Sequence, residues 1–230
     1  MISVVIPTLN PDSRLVATMT ALVPAVVKGV VREVIIVDGG SSNGNAARFA
    51  DLAGAEFIRA PRGRGSQLAA GAEAARSEWL LFLHDDTVLE PGWEREVSSF
   101  IDRIELGGLR DAAGAFRYAV DDFGVFPRFL ENLVALRCAL FSLPYGDQGL
   151  LISKRLYRNL GGFRSIPLME DVDIVRRLGR RQLFMFRTKA VTSAIRYKTD
   201  GYMLRIFRNL SCLFLYYLRV PPRYLVRLYG

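Results

Sequence analysis

Two short β-branched runs, Ile2-Ser-Val-Val-Ile-Pro7 and Glu33-Val-Ile-Ile-Val-Asp38, bracket a stretch, Arg14 to Gly29, whose apolar residues recur at helical spacing. That is the pattern of a strand, a crossover helix and a parallel strand. Working outward, a third run, Glu56 to Arg59, precedes a helical stretch from Ser66 to Arg76, and a fourth, Trp79 to Leu83, is bounded by acids. Strands alternating with helices predict an α/β fold on a mostly parallel sheet. Such sheets bind ligands outside the carboxyl ends of their strands. The residues to inspect are therefore Thr8 to Asn10, Asp38 to Ser42, Ala60 to Gly65 and His84 to Thr87.

Beyond Gly92 the pattern becomes mixed. A helix is expected to Leu106, a strand over Ala113 to Val120, and a helix from Pro127 to Phe141 with proline in its first turn. Tyr145-Gly-Asp-Gln-Gly149 then leads into a short strand, Leu150 to Ser153. Helical spacing returns at Lys154 to Leu160, at Glu170 to Leu178 and at Asp200 to Leu218, and a short helix follows Pro221-Pro222. With no internal repeat or linker, the chain reads as one domain, residues 1–199, with a C-terminal helical appendage, residues 200–230.

At 230 residues, 50% of them hydrophobic, the chain is long enough to bury a sizeable core. Cys138 and Cys212 stand in apolar surroundings without a CxxC partner, which suggests neither a disulfide framework nor a zinc site and suits a reducing compartment. The N-terminus has no basic leader, and Pro7 cuts its apolar run too short for a signal peptide, so a cytoplasmic location is expected. The net charge of +8 is unevenly spread. Residues 1–150 carry 14 Lys+Arg against 19 Asp+Glu, and residues 151–230 carry 17 against 4. The basic residues are interleaved with aliphatic runs rather than with stacking motifs, so anionic lipid or phosphate is a better partner than nucleic acid.

Four polar clusters can carry chemistry. His84-Asp85-Asp86-Thr87 follows the fourth apolar run, where carboxylates are free either to bind a hard cation or to cap the next helix. Met169-Glu170-Asp171-Val172-Asp173 opens a helix, where acids serve the dipole or supply a general base. Asp38-Gly39-Gly40-Ser41-Ser42-Asn43-Gly44 offers an acid for a base NH and glycines for close backbone approach, and is also an ordinary turn. Arg62-Gly63-Arg64-Gly65-Ser66-Gln67 brings cations and free backbone N–H groups to a helix start, and is neither a Walker loop nor a dinucleotide fingerprint. There is no GxSxG elbow, and His84 is the only histidine, which sets aside a Ser-His-Asp hydrolase.

Taken in order, VVIPTLN (Val4 to Asn10), IIVDGGSSNG (Ile35 to Gly44), RGRGSQLAAG (Arg62 to Gly71), FLHDDT (Phe82 to Thr87), GDQGLLISKRLYRNLGGF (Gly146 to Phe163) and MEDVD (Met169 to Asp173) resemble glycosyltransferase family 2. The short chain and the His-x-Asp-Thr form of the acidic motif are similar to a small bacterial subgroup, the radical-SAM/selenodomain-associated transferases. The resemblance implies a GT-A fold and an inverting, non-processive transfer of one sugar from a UDP- or GDP-linked donor to an acceptor hydroxyl, with Mn²⁺ or Mg²⁺. On the donor side it implies Pro7, Thr8 and Asn10 around the nucleoside, Asp38 at the base and Arg64 toward the diphosphate, with Gly39, Gln67 and Asp85 also counted as donor-binding. Asp86 would bind the metal. His84 stands where the family often has an aspartate, and either ligates the metal or approaches the ribose. Asp171 would be the base, Glu170 its substitute, and Asp147 and Gln148 would face the acceptor, whose identity the sequence leaves open.

Two rivals deserve weighing. A nucleotidyltransferase of similar fold would carry a Gly-rich, Arg-bearing loop after the first strand, where this chain has Pro7-Thr-Leu-Asn-Pro11. A catalytically inactive membrane-surface partner would not need Asp86 and Asp171. The C-terminal segment is expected to rest on the inner face of the plasma membrane without crossing it. Its longest charge-free run, Asn209 to Leu218, is ten residues, against about 20 needed to span. Arg219, Arg223 and Arg227 follow, among Tyr216, Tyr217, Tyr224 and Tyr229, a mix suited to headgroups. The alternative is a helix packed on the core or on a dimer partner.

Overall fold

The computed structural model describes residues 1–42, 44–107 and 111–229; Asn43 of the Asp38–Gly44 turn lies outside them. The first half is a run of alternating elements: β1 (Ile2–Thr8), α1 (Ser13–Val27), β2 (Val31–Asp38), α2 (Asn45–Ala53), β3 (Glu56–Arg59), α3 (Arg64–Ala74) and β4 (Trp79–Phe82). β1 lies between β2 and β4, parallel to both, and β3 extends the sheet beside β2. Every residue of β1 is buried, because helices cover both faces of the sheet. That is why the strand reads as a continuous apolar run and not as an alternation.

The second half adds β5 (Thr87–Leu89), α4 (Trp93–Leu106), β6 (Ala113–Asp121), α5 (Val125–Phe141), a 3-10 turn (Gly146–Gln148), β7 (Leu150–Ser153), α6 (Lys154–Asn159) and α7 (Glu170–Leu178). It ends with β8 (Leu183–Ser193), α8 (Ile195–Asp200), α9 (Tyr202–Tyr217) and α10 (Pro222–Tyr229). The sheet has the order β3-β2-β1-β4-β7-β6-β8-β5. β7 runs against β4 and β6, β5 runs against β8, and the other strands share one direction.

Several elements differ from the sequence reading. α2, β5, β8 and α8 were not expected, and the helix expected from Asp200 begins at Tyr202, after Gly201 in an extended left-handed conformation. β8 escapes a period-two reading because its register against β6 slips between Ala115 and Arg117. At that bulge Glu96 of α4 accepts the N–H groups of Arg187 and Thr188 at 2.7 and 3.0 Å, in place of a neighbouring strand. β5 has three residues, too few to show a period.

Apolar residues pack on both faces of the sheet. Cys212 of α9 and Leu225 of α10 join the cluster that contains Val5, Ile35, Leu68 and Val172, so residues 200–229 close over one sheet face. A smaller cluster ties α5 to α8 and α9 through Leu130, Val134, Cys138, Tyr197 and Ile206. The outer faces of α5 and α9 stay apolar and exposed, with Phe126 at 55%, Phe141 at 63%, Phe207 at 70% and Phe214 at 64%. Among the described residues, no helix is long and apolar enough to cross a membrane.

Candidate functional site

At the carboxyl ends of β1 and β2 the polar side chains hold one another. Asn10 adopts a left-handed conformation, φ 52°, which asparagine tolerates better than most residues. Its side-chain Oδ1 accepts the Ser42 N–H at 3.0 Å, and its backbone N–H donates to the Ser41 hydroxyl at 2.7 Å. That hydroxyl donates in turn to buried Asp38, which also accepts the Ser41 N–H at 3.1 Å. Beneath them the Gln67 amide donates to the carbonyls of Thr8 and Val37, each at 2.8 Å. Gln67 is buried and acts as a brace between the two strand ends rather than lining the cavity described below.

The acidic motif follows β4. Thr8 donates to Asp85 at 2.7 Å, locking that carboxylate to β1, and burial pushes the Asp85 carboxyl above its ordinary range. Asp86 faces the other way, into a cavity it shares with His84, Arg64, Asp147, Glu170 and Asp171. Its carboxylate lies 3.7 Å from Arg14, at the start of α1. Burial, reinforced by the charges of Arg64 and Arg196, holds His84 well below the usual imidazole range and keeps it neutral. Its Nε2 is buried without a hydrogen-bond partner.

The cavity's far wall is α7. Met169, left-handed at φ 67° and buried, turns the chain so that Glu170 and Asp171 enter the cavity. A conformation so unfavourable for methionine costs on the order of 1–3 kcal/mol, and packing of its side chain into the core offsets it. The three acids of this segment separate by environment. Asp173 is committed to Arg177 at 2.6 Å and to Arg164 at 3.1 Å. Glu170 pairs with Arg64 at 3.4 Å; burial, and next the charge of Asp171, raise its pKa. Asp171, the more accessible of that pair, is oriented by the N–H groups of Gly146 and Val172, each at 2.7 Å.

Two glycines make these approaches possible. A side chain at Gly65 would strike the carbonyl of Arg164, so glycine lets α3 bring Arg64 up to Glu170. A Cβ at Gly146 would lie 2.7 Å from His84 Nε2 and 3.3 Å from Asp171 Oδ2. Next to Gly146, Asp147 turns into the cavity with Oδ1 unpartnered, and burial pushes its carboxyl up to about 6. Gln148 turns away: its amide donates to Phe116 and accepts from Arg137 and Tyr145, which spends it on protein contacts.

Sequence reasoning missed Arg14, which lies beside Asp86 outside the cavity, and part of the lining: Thr192 at the end of β8, Arg196 on α8, and Asn209 and Tyr229 from the C-terminal helices. Arg14 was readable as the first turn of a helix that starts just after a strand end. Asn209 was readable as a polar residue in an apolar helix. Arg205 lines the cavity too, held by Asp200 at 2.7 Å and stacked on the Tyr229 ring.

Of the buried side-chain atoms without a hydrogen-bond partner, His84 Nε2, Asp147 Oδ1 and Asn209 Oδ1 belong to residues of this one cavity, as does Glu170 Oε1, whose contact is the 3.4 Å ion pair with Arg64. Buried polar atoms are ordinarily satisfied, so such a concentration marks a place where a ligand completes the structure. Among the described residues no group of three or more His, Cys, Asp or Glu side chains is gathered to hold an ion alone. Mg²⁺ and Mn²⁺ commonly take one or two protein ligands and complete their shell with phosphate oxygens and water. The Asp86 carboxylate and the free, neutral His84 nitrogen fit an ion completed in that way.

Residues 3–160 match the family described as Glycosyl transferase family 2. No curated protein matches. Among solved structures, TarS from S. aureus superimposes with a TM-score of 0.64 at 13% identity, covering 92% of this chain and 39% of that one. This chain thus spans about two fifths of that TarS chain. TarS 1–349 in complex with UDP-GlcNAc gives 0.63 at 14% identity, over 84% of this chain and 58% of that one. Glucosyl-3-phosphoglycerate synthase from Mycobacterium tuberculosis, in complex with Mn²⁺, UDP and glucosyl-3-phosphoglycerate, gives 0.56 at 20% identity, over 91% and 78%. At these identities the likeness is one of fold, the GT-A type with its curled α/β sheet. The family pattern covers well over half of the sequence, and the chain belongs to glycosyl transferase family 2.

Proposed function

We propose that this protein transfers a single sugar, with inversion, from a UDP- or GDP-linked donor to an acceptor hydroxyl. The observation that carries the reading is the convergence of Asp86, Arg64, Glu170 and Asp171 on one cavity, at the carboxyl end of a parallel sheet. The UDP-GlcNAc complex of TarS and the Mn²⁺–UDP complex of the mycobacterial synthase, both of this fold, support the choice of donor. The His84-x-Asp86-Thr87 motif supports a place in the radical-SAM/selenodomain-associated subgroup.

In this reading Thr8, Asn10, Asp38 and Gly39 form the nucleoside floor with Pro7, and Gln67 and Asp85 hold that floor in shape. Asp86, with His84, would hold the divalent metal, which when bound supplies positive charge to the diphosphate. Arg64 faces the same charge from the other side. Asp147 accepts a hydrogen bond from the acceptor, and Gln148 keeps the Asp147 turn in place. Asp171 takes the proton of the attacking hydroxyl as its oxygen bonds to the anomeric carbon and the bond from that carbon to the diphosphate breaks. One displacement inverts the centre. Given the donor, Mn²⁺ and a saturating excess of glycerol as a weak surrogate acceptor, the product is expected to carry one sugar of inverted configuration by proton NMR. Retained configuration or a ladder of chain lengths would overturn this.

The exposed apolar faces of α5 and α9, beside exposed Arg219, Arg223 and Arg227, support peripheral binding to an anionic membrane surface. Truncation at residue 200 would uncover the core around Cys212 and Leu225. Replacing Arg219, Arg223 and Arg227 by glutamate is the cleaner test. The variant should lose co-sedimentation with phosphatidylserine vesicles at low salt, and unchanged sedimentation would remove the membrane from the account.

A further inference from the structure

We propose that the acceptor is an amphiphile whose hydrocarbon chain lies in the groove between α5 and α9 and whose hydroxyl end reaches the cavity at Asp147. The groove walls are Leu133, Val134, Leu140, Phe141, Leu210 and Leu213. Its inner end is formed by Tyr145, Asp147, Tyr197 and Asn209, and the same four residues line the cavity that holds Asp171. An apolar groove therefore abuts the candidate reaction centre, with these four side chains common to both. Naming Asp171 as the destination rests on the transfer reading above; the groove itself does not.

The chemistry changes along its length. At the junction, Asp147 Oδ1 and Asn209 Oδ1 are buried and unpartnered. Both are acceptors, so what arrives there must donate, as a hydroxyl does and a phosphate oxygen does not. Outward from the junction the one charged wall residue, Arg137, is held by the Leu143 carbonyl, the Gln148 amide oxygen and the Tyr145 ring, and the remaining walls are apolar and suit methylenes. At the rim, Leu140 is 52% exposed and Leu210 46%, continuous with the exposed phenylalanines of the two helices. An apolar surface of this extent, flanked by arginines, matches a chain drawn from an anionic bilayer. A second copy of this chain is the competing occupant.

The full chain is titrated calorimetrically with octanoyl, decanoyl and dodecanoyl glycerol below their micelle concentrations, and with glycerol. Affinity should rise with length, by up to about fourfold per methylene, and glycerol alone should not register. Leu210→Trp, which fills the groove, should weaken dodecanoyl glycerol by about tenfold or more while UDP with Mn²⁺ binds as in the wild type. If that variant loses UDP binding through misfolding, Leu140→Asn on the exposed rim gives the same comparison with a smaller effect. Affinity independent of chain length, or unchanged in these variants, overturns the proposal. So does a dimer in sedimentation velocity that the lipid does not dissociate, because the second copy then owns the groove. Lipid binding without UDP binding would keep the groove and refute the transfer reading; UDP binding without lipid binding would do the reverse.

Discussion

The two ends of the site are built on opposite plans. At the carboxyl ends of β1 and β2, polar side chains are spent on the protein: Thr8 on Asp85, Asn10 on Ser42, Asp38 on Ser41, and Gln67 on two backbone carbonyls. Across the cavity, Asp147 and Asn209 each keep a buried oxygen with no hydrogen-bond partner. The first region is a finished platform whose shape exists before any ligand arrives. The second is left incomplete, and bears the desolvation cost of unpaired oxygens until something donates to them. The platform would hold the nucleotide common to a whole family. The incomplete wall, built from the 3-10 turn, α7 and the C-terminal helices, would then set this chain's own specificity.

The sharpest break of this contrast is Asp171→Asn. Turnover should fall by about 10²-fold or more, the scale of general-base catalysis, with donor affinity kept. If Asp171→Asn turns over normally while Glu170→Gln does not, the base has been misassigned. A smaller effect compares stability across the two regions. Gln67→Leu should cost about 1–3 kcal/mol in urea unfolding, since it strips a donor from two buried carbonyls. Asp147→Asn should cost nothing at neutral pH and gain on the order of 1 kcal/mol after allowance for solvent screening.

The sign of that gain follows from linkage. Asp147's folded pKa, about 6, lies above its ordinary 3.8, so the protonated form favours the fold. That contribution is whole below pH 3.8 and lost as pH rises through 6. An asparagine, having no proton to lose, should therefore gain on the wild type between pH 4 and 7. Equal losses in Gln67→Leu and Asp147→Asn would erase the distinction between the regions.

The platform was also the legible part. Its strands are buried on both faces and parallel, so apolar runs ending in polar residues mark both the elements and the site, from Ile2–Thr8 to Trp79–Phe82. The wall was not legible as a wall. β8 hides behind a bulge whose N–H groups Glu96 satisfies from 91 and 92 residues away in sequence, a pairing that no local pattern records. Glu170, Asp171 and Asp173 look equivalent in sequence, and only Arg164 and Arg177 closing on Asp173 separate them. Arg205, Asn209 and Tyr229 belong to the segment expected to lie on a membrane, yet they line the cavity because Cys212 and Leu225 anchor that helix pair to the sheet.

The central claim is a nucleoside-diphosphate platform that works with a metal at Asp86, and differential scanning fluorimetry tests it most directly. Wild type and Asp86→Ala are melted with UDP or GDP, each with and without Mn²⁺. At 100 times its dissociation constant a nucleotide stabilises by about 2.7 kcal/mol. The wild type should show that shift with one of the two nucleotides and Mn²⁺ together, and Asp86→Ala should lose it. A shift independent of Mn²⁺, one retained in full by Asp86→Ala, or none with either nucleotide would contradict the account.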